Sequence, residues 1–315
     1  MDILQRFYKG DKIALAKLIS YVENQSPGYR KLLAQIYPKS GRAYRMGLTG
    51  PPGAGKSTIV DKITSLLVKE NKKIGIIAVD PTSPFTGGAL LGDRIRMQDL
   101  TIKDGVFIRS MATRGSYGGL ATTTKEVSVV LDAFGKDFIL IETVGVGQVE
   151  LDVVNACDTT IVVFVPESGD SIQAMKAGLM EIADIFVINK SDREGAKRII
   201  SELDMILDIR RKKCEWEYPI VSTEAINNKG IDLLLTKIVE HKKFITDSGV
   251  LEAHRKNQIK VELKKIIELK VRELVDEKIL NSFDVDEIAE KIFRAEDDPY
   301  SCVEKVLKQI KITDL

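Results

Sequence analysis

The nine residues "GPPGAGKST", 50–58, restrict the possible folds of this chain more than any other stretch. They match G-x-x-x-x-G-K-[ST] and lie between an apolar run at 44–49 and a segment of helical pattern, the setting in which this motif forms a phosphate-cradling turn. Gly50, Gly53 and Gly55 permit backbone geometry that turns N–H groups toward anionic oxygens, and the helix that follows adds its positive end. Pro51, Pro52 and Ala54 fill the variable positions. By motif position Lys56 supplies a charge to the β- and γ-phosphates, Ser57 a hydroxyl to Mg²⁺, and Thr58 lies near the α-phosphate. Pro51 directly follows Gly50, which excludes the variant loop that places a trans-acting lysine there.

Short apolar runs at 44–49, 74–79, 106–110, 138–141, 159–165, 185–188 and 220–222 alternate with helix-like segments. They are continuously apolar, as strands covered on both faces should be. The expected fold is therefore α/β, a P-loop NTPase with a mostly parallel sheet and helical extensions at both ends. Boundaries are expected at 1–43 for an N-terminal helical extension, 44–247 for the nucleotide domain and 248–315 for a C-terminal helical arm. In that arm Ile259, Leu263, Ile266, Val271 and Leu274 form an apolar stripe, which packs on the chain's own domain or on a second copy; a homodimer is the expectation.

Lys+Arg 47 against Asp+Glu 46 leaves a net charge of +1, so no global field favours nucleic acid or anionic lipid. No segment offers the ~20 apolar residues of a membrane span, and the first residues lack a signal-like apolar core. A soluble cytoplasmic protein is expected. Cys157, Cys214 and Cys302 are odd in number and scattered, which argues against disulfides and zinc; with only His241 and His254, a transition-metal centre is also disfavoured.

"NKSD", 189–192, follows an apolar run and fits N-K-x-D. Asp192 can accept from guanine N1–H and the 2-amino group, which adenine cannot match. Asn189 and Lys190 would brace the loop and the base plane. "VSTEA" supplies Ser222, Thr223 and Glu224 at the place where a backbone N–H commonly meets guanine O6. GTP/GDP is thus the expected nucleotide. On the metal side, Glu142 takes the acidic position of the "ETVGVGQ" run and Asp80 ends the second strand; with Ser57 they are candidate Mg²⁺ ligands. Asp93, in "GGALLGDRIRM", is a further candidate for metal and switch, or a helix cap.

The water-orienting glutamine of small GTPases should follow Gly145, but Val146 stands there and Gln148 comes two places late. Intrinsic hydrolysis should be slow, on the ~10⁻⁴ s⁻¹ scale. Lys56, Glu142, Asp93 and Gln148 are the candidate catalytic residues, and Arg94, Arg109 or Arg114 could add a charge. The stretch "PESGDSIQAMKAG" could respond to nucleotide through Asp170 and Lys176, or Asp170 and Ser171 could simply cap a helix.

In order, "GPPGAGKST", "DPTSPFTGGALLGDRIRM", "RSMATRGSYGGLA", "ETVGVGQ", "IQAMKAG" and "EIADIFVINKSD" closely resemble the MeaB-type GTPases. These are methylmalonyl-CoA mutase-associated G-protein chaperones, among them the methylmalonic aciduria type A protein, and have also been called ArgK or LAO/AO transport-system kinases. The resemblance spans nearly the whole chain. It implies a SIMIBI-class G domain, a C-terminal dimerisation arm, and an adenosylcobalamin-dependent methylmalonyl-CoA mutase or related acyl-CoA mutase as partner. It also implies that GTP binding and hydrolysis gate cobalamin loading and release and protect the mutase. By motif position it maps Ser57, Asp80, Asp93 and Glu142 to the Mg²⁺ and switch region, Asp192 to guanine and Lys176 to a third switch loop. A metal-insertion GTPase and an amino-acid transport kinase are the alternatives.

Overall fold

The computed structural model describes residues 3–80, 103–112, 119–143, 156–166, 179–211, 215–275 and 283–309. Among them, seven strands form one sheet: β1 (Tyr44–Thr49), β2 (Ile74–Asp80), β3 (Val106–Ala112), β4 (Phe138–Thr143), β5 (Thr159–Phe164), β6 (Ile185–Asn189) and β7 (Ile220–Thr223). Their order is β3-β2-β4-β1-β5-β6-β7. Every neighbouring pair is parallel. The chain thus builds outward from β1 to one side, returns through β4, and continues outward on the other side from β5.

Period-two alternation assigns each strand's side chains to two layers. On one face Tyr44, Met46 and Leu48 of β1, Phe138 and Leu140 of β4, and Ile161 and Val163 of β5 pack with α4 (Lys56–Lys69) and α8 (Ile231–Asp247). The opposite face divides in two. Ile77, Val79, Ile139 and Ile141 meet α2 (Lys12–Glu23) and α5 (Gly119–Ala133), whereas Val162, Phe164, Phe186 and Ile188 meet α6 (Leu179–Ile182) and α7 (Ala196–Arg211). Between these halves, a Cβ on Gly47 of β1 would come within 2.8 Å of Cys157 Sγ.

The N-terminal helices α1 (Ile3–Tyr8), α2 and α3 (Tyr29–Ile36) share this core and close one half of the sheet. Asp11 starts α2 by accepting the N–H groups of Ile13 and Ala14 at 2.8 and 3.3 Å, the usual first-turn cap. The link to β1 is fastened by Asp132 of α5, whose carboxylate accepts the N–H groups of Gly41, Arg42 and Ala43.

The chain divides into two compact units, 1–254 and 255–315. In the second, the helix α9 (Val250–Leu274) continues from the first unit, and α10 (Val285–Phe293) and α11 (Pro299–Gln309) follow. Asp284 caps α10 through the Glu287 N–H at 2.9 Å. No helix among the described residues is long and apolar enough to cross a membrane.

Candidate functional site

The carboxyl ends of β1, β2, β4 and β6 and the turn after β7 surround a cavity of about 520 Å³. Ligands collect at this edge in open parallel sheets, because strand ends and helix starts leave backbone donors unpaired there. The loop between β1 and α4 takes left-handed φ at Gly50 (139°), Gly53 (74°) and Gly55 (85°). At Gly50 a Cβ would stand 2.1 Å from the Val163 carbonyl, and at Gly55 it would stand 2.3 Å from Asn189 Nδ2. No side chain can be accommodated at either position without moving its neighbours. Gly55 also precedes α4 without any side-chain cap, so no capping side chain stands between the start of that helix and an anion.

Lys56 is 5% exposed, and its Nζ donates to the carbonyls of Gly50 at 2.7 Å and Pro51 at 3.0 Å. The ammonium is thereby held against the loop it serves. Ser57 donates from Oγ to Glu142 Oε1 at 2.5 Å, bringing a hydroxyl and a buried carboxylate together at the cavity wall. An all-oxygen pair of this kind suits Mg²⁺, which takes one or two protein ligands alongside substrate phosphates. Ser57 and Glu142 would hold the ion, and when bound it would neutralise charge on the terminal phosphates. Asp80 ends β2, whose Ala78 and Val79 pair with Glu142 and Thr143 of β4. Its backbone thus lies two residues beyond Ala78, the position opposite Glu142.

At the other end of the cavity Asn189, 3% exposed, ties three segments together. Its Nδ2 donates to the Ala54 carbonyl at 2.8 Å, and its Oδ1 accepts from Thr223 Oγ1 at 3.0 Å and from the Ala225 N–H at 3.1 Å. One amide therefore couples the phosphate loop to the turn after β7. Lys190 adopts a left-handed conformation (φ 56°), and Lys190, Asp192 and Arg193 line the cavity on this side. Glu224, Ala225, Ile226 and Asn227 face them. Glu224 is engaged by Lys229 at 2.9 Å and by Asn227 Nδ2 at 3.1 Å. Lys229 first, then Asn227, holds its carboxyl below the usual range.

The sequence-derived residues are distributed unevenly. Pro52, Gly53, Gly55, Lys56, Ser57, Thr58, Glu142, Asn189, Lys190, Asp192 and Glu224 converge on the cavity. Gly50, Pro51, Ala54 and Thr223 support it from behind, Gly50 and Pro51 through the Lys56 ammonium, Ala54 and Thr223 through Asn189. Ser222 does neither: its side chain is exposed and outside the lining, because alternation along β7 turns Thr223 inward instead. Arg109 is likewise drawn away, its Nε donating to Glu23 of α2 at 3.0 Å. Asp93, Arg94, Arg114, Val146, Gln148, Asp170 and Lys176 lie outside the described residues.

Sequence reasoning missed Arg193, Ile226 and Asn227 as lining residues, and it missed that the Thr223 hydroxyl is used. Arg193 directly follows the N-K-x-D motif and was within reach of the sequence signal. The Thr223–Asn189 bond gives a graded expectation. Asn189→Ala removes partners from buried groups on both sides and should lower unfolding free energy by about 3 kcal/mol, with a loss of GTP affinity of tenfold or more. Thr223→Val, which keeps the shape, should cost about 1 kcal/mol and leave GTP affinity within a few-fold. Urea unfolding and calorimetric titration distinguish the two; equal losses would deny Asn189 its linking role.

A family model described as methylmalonyl-CoA mutase-associated GTPase MeaB matches residues 15–279. A protein of Pyrococcus abyssi that carries a GTPase name is 50% identical over 312 residues, covering 98% of this chain and 96% of its own. The mitochondrial methylmalonic aciduria type A homolog of Mus musculus is 35% identical over 283 residues, covering 84% of this chain and 68% of its own. A crystal structure of an LAO/AO transport system kinase superposes with a TM-score of 0.71 at 28% identity, covering 97% of this chain and 95% of that one.

Proposed function

The chain belongs to the MeaB family of methylmalonyl-CoA mutase-associated GTPases, and from that premise we propose that it is a slow, partner-stimulated GTPase chaperone of an adenosylcobalamin-dependent mutase. In this reading it binds GTP with Mg²⁺, gates loading and release of the cobalamin cofactor, and protects methylmalonyl-CoA mutase or a related acyl-CoA mutase from inactivation. The observation that carries it is the match of the mutase-associated family over 15–279, around a cavity where phosphate-loop, Glu142 and Asp192 chemistry meet.

The residues divide the work by position. The uncapped start of α4 and the Lys56 ammonium bind and orient the phosphates. Ser57 and Glu142 fix the metal side, and Asp192 selects guanine at the far wall. The position after Gly145 is Val146, a side chain that cannot hold a water for attack. A rise of ~10⁵-fold on meeting the partner would require about 7 kcal/mol of transition-state stabilisation, which a rearranged segment or an added charge can supply. The reading also includes pairing of two copies through the C-terminal helices. Support for it comes from Ile259, Leu263, Ile266 and Val271 of α9, all at least 40% exposed within a single chain.

The test is GTP turnover with and without purified methylmalonyl-CoA mutase. The protein alone should turn over near ~10⁻⁴ s⁻¹ and the mutase should accelerate it. Turnover of tens per second by the isolated protein, or indifference to the mutase, would reject the proposal. Radiolabelled phosphate found on another protein would favour a kinase, the role for which the LAO/AO transport system protein is named.

A further inference from the structure

The opposite end of the strands, roughly 20 Å from the phosphate loop by strand length, carries a second cavity of about 480 Å³. It is bounded by the residues leading into β5 and β6, by 215–218, by α8 and by the first turn of α9. The chemistry of its wall is distinctive. Trp216 and Phe244 contribute stacked rings 5.4 Å apart, and His241 lies 4.7 Å from the indole. Asp158, Asp184 and Glu215 contribute carboxylates, and no lysine or arginine is among the described lining residues.

These acids are not equivalent. Asp158 is committed to Arg45, whose guanidinium is 3.0 Å away and whose N–H it also accepts. Glu215 is exposed to solvent. Asp184 is partly covered, its side chain 28% exposed: Oδ2 accepts the Thr160 N–H at 2.8 Å, while Oδ1 has no hydrogen bond among the described residues. Among the described residues the one basic group within 4 Å is His241, its Nε2 at 3.6 Å and beyond bonding reach. Burial lowers His241 to about 4, with His254 adding to the effect, so this imidazole is neutral at pH 7. Arg210 is near enough to act on Asp184 by charge, yet its N–H groups go to the carbonyls of Met180, Glu181 and Ala183. Burial pushes the Asp184 carboxyl up to about 7, against the Thr160 bond and the Arg210 charge.

We propose that this second cavity is a binding site for a small organic cation carrying a guanidinium or primary ammonium group, held between the Asp184 carboxylate and the Trp216 indole. The volume is that of a small-molecule pocket. A carboxylate oxygen with bonding capacity to spare beside an aromatic ring complements a cation in two ways, by a charge-assisted hydrogen bond and by attraction to the ring face. A neutral or anionic ligand of the same shape gains neither. The site is separate from the nucleotide cavity and does not depend on the mutase proposal.

Trp216 is the chain's single tryptophan, and its Nε1 donates to the Asp184 carbonyl at 2.8 Å. Its fluorescence therefore reports on this wall alone. Titration at pH 8, where Asp184 is ionised, uses n-butylguanidinium and its uncharged isostere n-butylurea. Butylguanidinium should give a saturable change at a concentration at least about tenfold lower than butylurea. Asp184→Asn retains an acceptor for the Thr160 N–H, so it should melt as a folded protein and bind GTP normally. It should also lose about tenfold in butylguanidinium affinity. Equal responses to the two probes, no saturable response at any soluble concentration, or an undiminished response in folded Asp184→Asn would overturn the proposal. If that variant does not fold, the comparison of the two probes on the unaltered protein decides alone.

Discussion

Replacing Lys56 by alanine is expected to reduce GTP affinity by two to three orders of magnitude while the protein stays folded. The Nζ donates to the carbonyls of Gly50 and Pro51 in a position 5% exposed, so the charge sits inside the loop where the terminal phosphates must arrive. Each charge-assisted hydrogen bond to phosphate is worth about 1.5–3 kcal/mol, and two of them account for a change of this size. The folded state loses much less. Two carbonyls give up a donor, which costs about 1–2 kcal/mol, and α4 keeps its buried face of Ile59, Val60, Ile63 and Leu67. Calorimetric titration with GTP beside a melting curve makes the check. Affinity within threefold of the unaltered protein would mean that the loop does not grip the phosphates.

A change in the preferred base is the second large effect. Asp192 lines the cavity beside Lys190 and Arg193, across from Ala225 and Asn227. As a carboxylate it offers only acceptors, which suit guanine N1–H and the 2-amino group. Asp192→Asn puts an amide there, whose NH₂ opposes the guanine amine but can donate to the 2-oxo group of xanthine. The ratio of XTP to GTP affinity should rise on the order of 10³-fold. Competition titrations with the two nucleotides measure it directly, and an unchanged ratio would remove Asp192 from the base site. Because Asn189 holds the loop by its own three hydrogen bonds, the substitution two residues beyond Lys190 should leave the turn in place.

The two substitutions also show where the sequence was readable. Lys56 and Asp192 belong to short motifs in which the spacing itself carries the chemistry, so each could be named before any tertiary contact was known. The same holds for the strands. Runs such as "FILIET" and "TTIVVF" are fully buried in β4 and β5, and continuous apolarity is what burial on both faces requires. Ser222 and Thr223 were named together because a four-residue edge strand gives too little pattern to say which of the two side chains points inward; the structure turns Thr223 inward. Arg109 was a plausible extra charge on the linear chain and became a partner of Glu23 once α2 lay against the sheet. His241 gave no signal beyond its unsuitability for a metal centre, yet it stands beside Asp184 and Trp216 in the second cavity.

By itself the sequence determined the parallel α/β architecture and the phosphate loop and pointed to guanine, because these rest on periodicity and on side chains at fixed local spacing. Only the tertiary structure decided that Asn189 joins Ala54 across 135 residues, that the N-terminal helices complete the core, and that a second, acid-lined cavity opens at the far edge. The reason is that such contacts depend on the path of the chain between them. Strand order brings distant residues together, and no local pattern records which of them will meet.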